Sequence, residues 1–407
     1  MRILIISSVY TGDSGGVATH VVTLARGLVR YIPDATVHVV TLASRDESLA
    51  PQEIRNGYIR KNRGRLEEWK LERRTTHEFN GRRVVLGRFV SFCLENWRKL
   101  LPDVIHVHDF DSLQIGWLLR TVYPRTRLIL TTHRAPTDWR PERVRENEKD
   151  CYMEAIRLKN CLDRIVVPSK ASATILREQG FNNISVIPHG ITPYLRSLDS
   201  DESTLATLNL PSDAELIFCP CRNDEHKDLL VLVKAAGDLH EQINKPTVFL
   251  LTSNPEDIDP SQALELLDLR TIAANHRLTE GKDIIFTTPF QWGVPLATVY
   301  RRAKAVVVPS IHESFGQNVL DAFLFEKPVI ASHSAALKDL ITHEDNGLHF
   351  DSRATLVFQL RRLLEDDSLC AQVAAGGKRS LDLHYTLESM IKSYDALYRS
   401  LLEPGAV

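Results

Sequence analysis

The segment Val306-Val-Val-Pro-Ser-Ile-His-Glu-Ser-Phe-Gly-Gln-Asn-Val-Leu-Asp-Ala-Phe-Leu-Phe-Glu-Lys-Pro-Val-Ile-Ala-Ser332 constrains the fold more than any other part of this chain. An apolar run, Val306 to Val308, stops at Pro309. A short polar loop follows, then a stretch of helical character from Asn318 to Phe325, and Pro328 opens a second apolar run, Val329 to Ala331. Strand, loop, helix and strand form the unit from which parallel sheets are built, because a parallel neighbour requires a crossover. The loop sets Glu313 at the carboxyl edge of a strand and the backbone N–H groups of Phe315, Gly316 and Gln317 near a helix start. A helix start carries partial positive charge and unpaired donors, which suits a phosphate. Glu313 and Asp321 are eight positions apart, so one carboxylate sits in the loop and the other about a turn inside the helix. Such a pair can hold hydroxyls at two ends of one ligand, and a diphosphate with a sugar at each end fits it.

The same alternation runs along the chain. Apolar runs occur at Ile3–Ile6, Val37–Leu42, Val104–Val107, Leu128–Thr131, Ile165–Val167 and Ser185–Ile187, with helical spacing between several of them, as in Val17, Val21, Leu24 and Leu28. The second half repeats it with Leu216–Cys219, Val248–Leu251, Ile284–Phe286, Ala305–Val308 and Val329–Ala331. Continuous apolar strands between helices indicate parallel sheets covered on both faces. At 407 residues the chain exceeds one ordinary core and predicts two domains of about 200 residues each. The polar stretch Thr192 to Asp213, with Pro193 and Pro211, is the expected linker. After Asp351 the pattern is helical, ending in the stripe Met390, Ile391, Tyr394, Leu397, Tyr398 and Leu401.

Composition narrows the function classes. Apolar content of 43% and charge of 25% are those of a globular protein, and a net charge of −2 gives no basis for nucleic-acid binding. No apolar run approaches the roughly 20 residues that span a bilayer, and Ile3-Leu-Ile-Ile6 reads as a first strand rather than a signal segment. The six cysteines show no CxxC pair. They are expected to be free thiols in a reducing cytosol, Cys219-Pro-Cys221 included. Arg55 to Arg74 carries eight Lys/Arg against three Glu. It reads as a solvated loop and helix, with peripheral attachment to the membrane inner face as the alternative.

On Glu313-x7-Asp321, flanked by Pro-Ser and Lys-Pro-Val-Ile, the chain resembles family 4 glycosyltransferases of the GT-B fold, whose signature is E-x7-E. The resemblance implies an α/β architecture of two Rossmann-like domains with parallel sheets facing across a cleft. The expected boundaries are an acceptor-side domain over 1–192, a nucleotide-sugar domain over 193–385, and a helix over 386–407 that crosses back to the first. It implies that Glu313 contacts the transferred sugar, that Asp321 holds the ribose, and that the amides of Phe315, Gly316 and Gln317 bind the diphosphate. Asp321 departs from the family by one methylene, and Ser334-Ala-Ala-Leu-Lys-Asp339 departs from its Gly-Gly and Glu loop.

Further positions match the family in turn. Arg222 and Lys227 have the R-x4-K spacing of the pair that grips the donor diphosphate. Fixed cations there stabilise charge that grows as the glycosidic bond breaks, and they stand in place of a metal. The loop Thr11-Gly-Asp-Ser-Gly-Gly-Val-Ala-Thr-His20 resembles the family's Gly-Gly loop, so Gly15 and Gly16 are expected against the donor phosphate. It is not GxGxxG, so NAD is not indicated. Asp103-Val-Ile-His-Val-His-Asp109 resembles the D-x-x-H-x-H segment, which assigns His108 to the transferring sugar. Strand alternation sends His106 and His108 to one side, but no third ligand is evident and no metal is expected. His133 matches a T-x-H segment on the acceptor side, with a buried structural histidine as the competing reading. Val186-Ile-Pro-His-Gly190 resembles the V-I-P-N-G hinge, with His189 in place of Asn. Pro289 and Phe290 fall where the family's donor base is held by backbone groups.

The resemblance therefore implies a retaining, metal-independent transferase that moves a hexose or N-acetylhexosamine from a nucleotide sugar, with UDP the expected base, to a glycan, lipid-linked or small-molecule hydroxyl. Two other readings stay open: an epimerase or phosphorylase-like enzyme on the same fold, and a catalytically silent nucleotide-sugar-binding protein.

Overall fold

The computed structural model describes residues 1–7, 16–42, 58–71, 89–133, 153, 155–211, 213–221, 225–252, 263–287, 290 and 293–403. The chain divides into two compact units, Met1–Gly190 together with Leu387–Val407, and Ile191–Thr386. Each is built on one sheet.

The first unit has eight strands: β1 (Arg2–Ser7), β2 (Thr36–Leu42), β3 (Tyr58–Arg63), β4 (Leu66–Leu71), β5 (Val104–His108), β6 (Arg127–Thr131), β7 (Arg164–Val167) and β8 (Ile184–Val186). Their order is β3-β4-β2-β1-β5-β6-β7-β8, parallel apart from the β3/β4 hairpin. Ile3 sits opposite both Val37 and Val104 in register, so β1 lies between β2 and β5. Alternate side chains of β1 go to opposite faces. Ile3 and Ile5 join the core under the first helix, Gly16–Tyr31, while Leu4 and Ile6 join the core on the other face. The stripe read from the sequence is the buried face of the last helix, Leu387–Leu402. It lies against the first helix, where a Cβ on Gly27 would come within 2.6 Å of Ile391 Cδ1. Glycine here allows the two helices to approach.

One sequence expectation fails in this unit. The described part of the basic segment Arg55–Arg74 is a hairpin, not a loop and helix, and its inner strand is buried along its whole length. Trp69 is in the core, Glu67 receives Lys99 Nζ at 2.8 Å and lies 3.3 Å from His38 Nδ1, and Lys99 covers the Trp69 ring. Partner charges and one aromatic anchor let a charged strand enter the sheet, and charge counting in one dimension does not see them. The exposed side chains Lys61, Asn62 and Arg63 fall on the outer strand, as expected for a sheet edge.

The second unit has six strands, β9 (Glu215–Cys219), β10 (Thr247–Leu251), β11 (Ile284–Phe286), β12 (Ala305–Val308), β13 (Val329–Ser332) and β14 (Leu348–Phe350), in the order β11-β10-β9-β12-β13-β14 and parallel throughout. The strand Leu348–Phe350 is short, and sequence reading missed it. The presumed linker holds two short helices, Tyr194–Ser197 and Glu202–Thr207. Among the described residues, no helix is long and apolar enough to cross a membrane.

Candidate active site: two clusters at the sheet switch points

In an open α/β sheet the strand order reverses at a switch point, and the carboxyl ends of the strands there leave a crevice for ligands. The second unit reverses between β9 and β12. The chain leaving β9 turns through a short 3-10 helix, Glu225–Lys227, into the helix Leu229–His240. The chain leaving β12 runs through Ser310 and Glu313 into the helix Gln317–Leu324. Lys227 Nζ donates a hydrogen bond to Glu313 Oε1, and Ser310 Oγ donates to the same oxygen at 3.0 Å. The two loops are tied again where Ile311 N donates to His226 O at 2.8 Å and Asn318 Nδ2 to Pro220 O at 2.9 Å. These bonds fix one cation and one carboxylate at adjoining strand ends.

The helix start is shaped by Gly316, with φ +109°, where a Cβ would meet Leu337 Cδ2 at 2.7 Å. Only glycine combines that dihedral with that approach. Phe315 is buried and meets the Tyr385 ring edge-on. Asp321 lies a turn inside the helix, buried, and burial pushes its carboxyl up to about 7, against the opposing hydrogen bond from the Gln317 side chain. Tyr300 stands beside it, stacked on Phe325, with its hydroxyl buried. Phe290 packs edge-on to Phe218 of β9, against the core of this unit.

The first unit reverses between β1 and β5. His108 ends β5, His133 follows β6, and the helix that bears His20 begins at Gly16. His108 Nδ1 and His133 Nε2 are 3.1 Å apart, and His133 N donates to Asp109 Oδ1 at 2.9 Å. His20 meets His133 edge-on at 4.8 Å and tilts over His189 at 4.3 Å. His106 is different. Its Nδ1 pairs with Tyr398 Oη at 2.8 Å and its Nε2 with Thr131 Oγ1 at 2.7 Å, so it joins the last helix to the sheet. Burial lowers His106 to about 3 and carries His20 and His108 well below the ordinary imidazole range, neighbouring imidazoles adding to the shift in the latter two.

The sequence-selected residues thus fall into two groups: Lys227, Glu313, Phe315, Gly316, Gln317 and Asp321 in the second unit, and Gly16, His108 and His133 in the first. Gly15, Arg222 and Pro289 lie outside the described residues. Sequence reading missed Ser310, Asn318 and Tyr300, polar residues that nothing in a linear pattern singles out, and it gave His20 no role. A signal for His20 existed, since it interrupts the apolar face Val17, Val21, Leu24 and Leu28 at helical spacing.

Two family models cover most of the chain. One described as Glycosyltransferase Family 4 matches residues 14–194, and one described as Glycosyl transferases group 1 matches residues 200–380. The D-inositol 3-phosphate glycosyltransferase of Corynebacterium urealyticum is 26% identical over 415 residues, covering 96% of this chain and 92% of that protein. Its namesake from Corynebacterium diphtheriae is 24% identical over 371 residues, covering 88% and 83%. Among solved structures, sucrose-phosphate synthase from Thermosynechococcus elongatus matches with a TM-score of 0.78 at 20% identity over 98% of this chain and 99% of that one. Anabaena Alr3699/HepE in complex with UDP-glucose matches with a TM-score of 0.74 at 15% identity over 98% and 100%. At such identities the structures establish a shared fold.

Proposed function

Because this chain belongs to the family 4 glycosyltransferases of the GT-B fold, we propose that it transfers a hexose or N-acetylhexosamine from a UDP-linked donor to a hydroxyl acceptor, with retention and without a metal. The observation that carries this reading is the Lys227–Glu313 pair, held at adjoining strand ends beside the start of the helix Gln317–Leu324. Lys227, with Arg222, takes the diphosphate charge as the glycosidic bond breaks, a stabilisation that grows toward the transition state. Glu313 holds the donor sugar's hydroxyls once Lys227 has turned to the phosphates. Asp321 meets the ribose. The departing diphosphate oxygen accepts the acceptor's proton as the new bond forms on the same face. His108 orients the transferring sugar and His133 the acceptor. The relatives' name supports a phosphorylated polyol as one acceptor to try, alongside glycans and lipid-linked hydroxyls.

A thermal-shift panel of UDP, GDP, ADP, dTDP and their sugars, with and without EDTA, tests the donor site. A ligand that binds the folded chain raises its melting temperature with occupancy. A shift with one base that survives EDTA supports the reading, and no shift with any of them removes it. Buried Asp321 and Ala335-Ala336 at the start of the helix Ala335–Leu340 favour one second reading, a protein that binds the donor without turnover. Donor binding without transfer or hydrolysis under any acceptor would select it.

A further inference from the structure

The histidines of the first unit form more than a sugar contact. His20 comes from the first helix, His108 from the end of β5 and His133 from the segment after β6, and one ring nitrogen from each lies within 4.8 Å of the others. The Nε2 atoms of His20 and His108 are buried without a hydrogen-bond partner among the described residues, although a buried imidazole nitrogen ordinarily finds one. His106, on the same strand, has both nitrogens bonded. Burial and mutual proximity keep His20 and His108 neutral, the form in which imidazole binds a metal.

We propose that His20, His108 and His133 bind one divalent transition-metal ion of the zinc class through their imidazole nitrogens. Zinc takes imidazole nitrogen at about 2.0–2.1 Å in tetrahedral geometry, which places three such nitrogens about 3.4 Å apart. Ring rotations close the remaining gap from 4.8 Å, and the hydrogen bond between His108 Nδ1 and His133 Nε2 at 3.1 Å gives way to the ion. All-imidazole donors favour zinc, copper or nickel over magnesium or calcium. The hydrogen bond from His133 N to Asp109 Oδ1 anchors the backbone of one ligand. The ion is not needed for transfer. It takes His108 away from the sugar and so inhibits, a consequence that rests on the function proposed above, whereas the binding itself does not.

The test uses the full chain, freed of metal by a chelator and titrated with Zn2+ in a calorimeter. One ion per chain is expected, with affinity falling at least tenfold in His20→Phe and in His133→Phe, which keep ring packing and remove the donors. His343→Gln, at an exposed histidine, should bind as the wild type does. Absence of binding, unchanged affinity in both Phe variants, or an equal loss in His343→Gln overturns the site. Should a Phe variant fail to fold, Co2+ bound to the wild-type chain decides. Intense visible absorption of a nitrogen-ligated tetrahedral ion supports the site, and a pale octahedral spectrum refutes it. Donor binding to the second unit is read separately by the nucleotide panel, so failure of one proposal leaves the other measurable.

Discussion

Lys227 and Glu313, 86 residues apart in the sequence, form an ion pair whose side chains are only 18% and 14% exposed. Each therefore leans on the other for its charge in the ligand-free chain. Replacing either residue alone should therefore cost stability as well as transfer, because removing one partner leaves a poorly solvated charge behind.

Lys227→Ala should lower turnover by about 10²–10³-fold, the scale of one lost transition-state charge contact. It should also destabilise the chain by about 1–3 kcal/mol, with Ser310 Oγ the hydrogen-bond donor left to the Glu313 side chain among the described residues. The double variant with Glu313→Ala should lose less stability than the sum of the two singles. Additive urea midpoints would show that the pair carries no coupling.

Asp321 sets a pH dependence. Burial raises its folded carboxyl to about 7, so the folded chain holds this proton more tightly than the unfolded chain. The favourable contribution is full below about 4, is lost as pH rises through about 7, and leaves a constant penalty above that. Asp321→Asn cannot titrate. It should match the wild type near pH 4 and exceed it near pH 8 by on the order of a few kcal/mol. Stability curves that run parallel across this window would exclude the effect.

The histidines of the first unit work in the opposite sense. Burial holds His106 at about 3 and lowers His20 and His108 strongly, while the unfolded residues protonate near pH 6.5. Their contribution is complete above about 6.5 and is lost as pH falls toward 3. His106→Leu should reduce this acid sensitivity. It should also cost about 1–3 kcal/mol for each hydroxyl left unpartnered, Tyr398 Oη first. Urea titrations at pH 7 and pH 5 measure both effects.

Gly316→Ala tests the loop. The dihedral of +109° and the 2.7 Å approach of Leu337 should make alanine cost about 1–3 kcal/mol. Loss of UDP affinity should accompany the drop in melting temperature, since the helix start is what the strain displaces. A variant as stable as the wild type would mean that the loop relaxes freely.

Some of this was legible in one dimension and some was not. The strands Ile3–Ile6, Val306–Val308 and Val329–Ala331 were read from continuous apolar runs, and the βαβ unit followed from Pro309 and Pro328 at their ends. The E-x7-D segment led to the family, because spacing along one loop and helix is a local property. The buried strand Leu66–Leu71 was not legible, since its charges are tolerated only beside His38, Lys99 and the sheet. That His20 and His133 meet at His108 was equally hidden, because they come from a helix and a strand end that come together only in the folded sheet.

The sequence by itself determined that this chain builds two parallel α/β sheets, and it located the loops that leave their central strands. Periodicity and turn chemistry act over a few residues, so they survive in a linear text. Tertiary structure alone decided that Lys227 neutralises Glu313, that Asp321 keeps a proton near pH 7, and that His106 is a structural tie while His108 is not. Those outcomes depend on burial and on partners distant in sequence, and the energy of a charge is set by what surrounds it after folding.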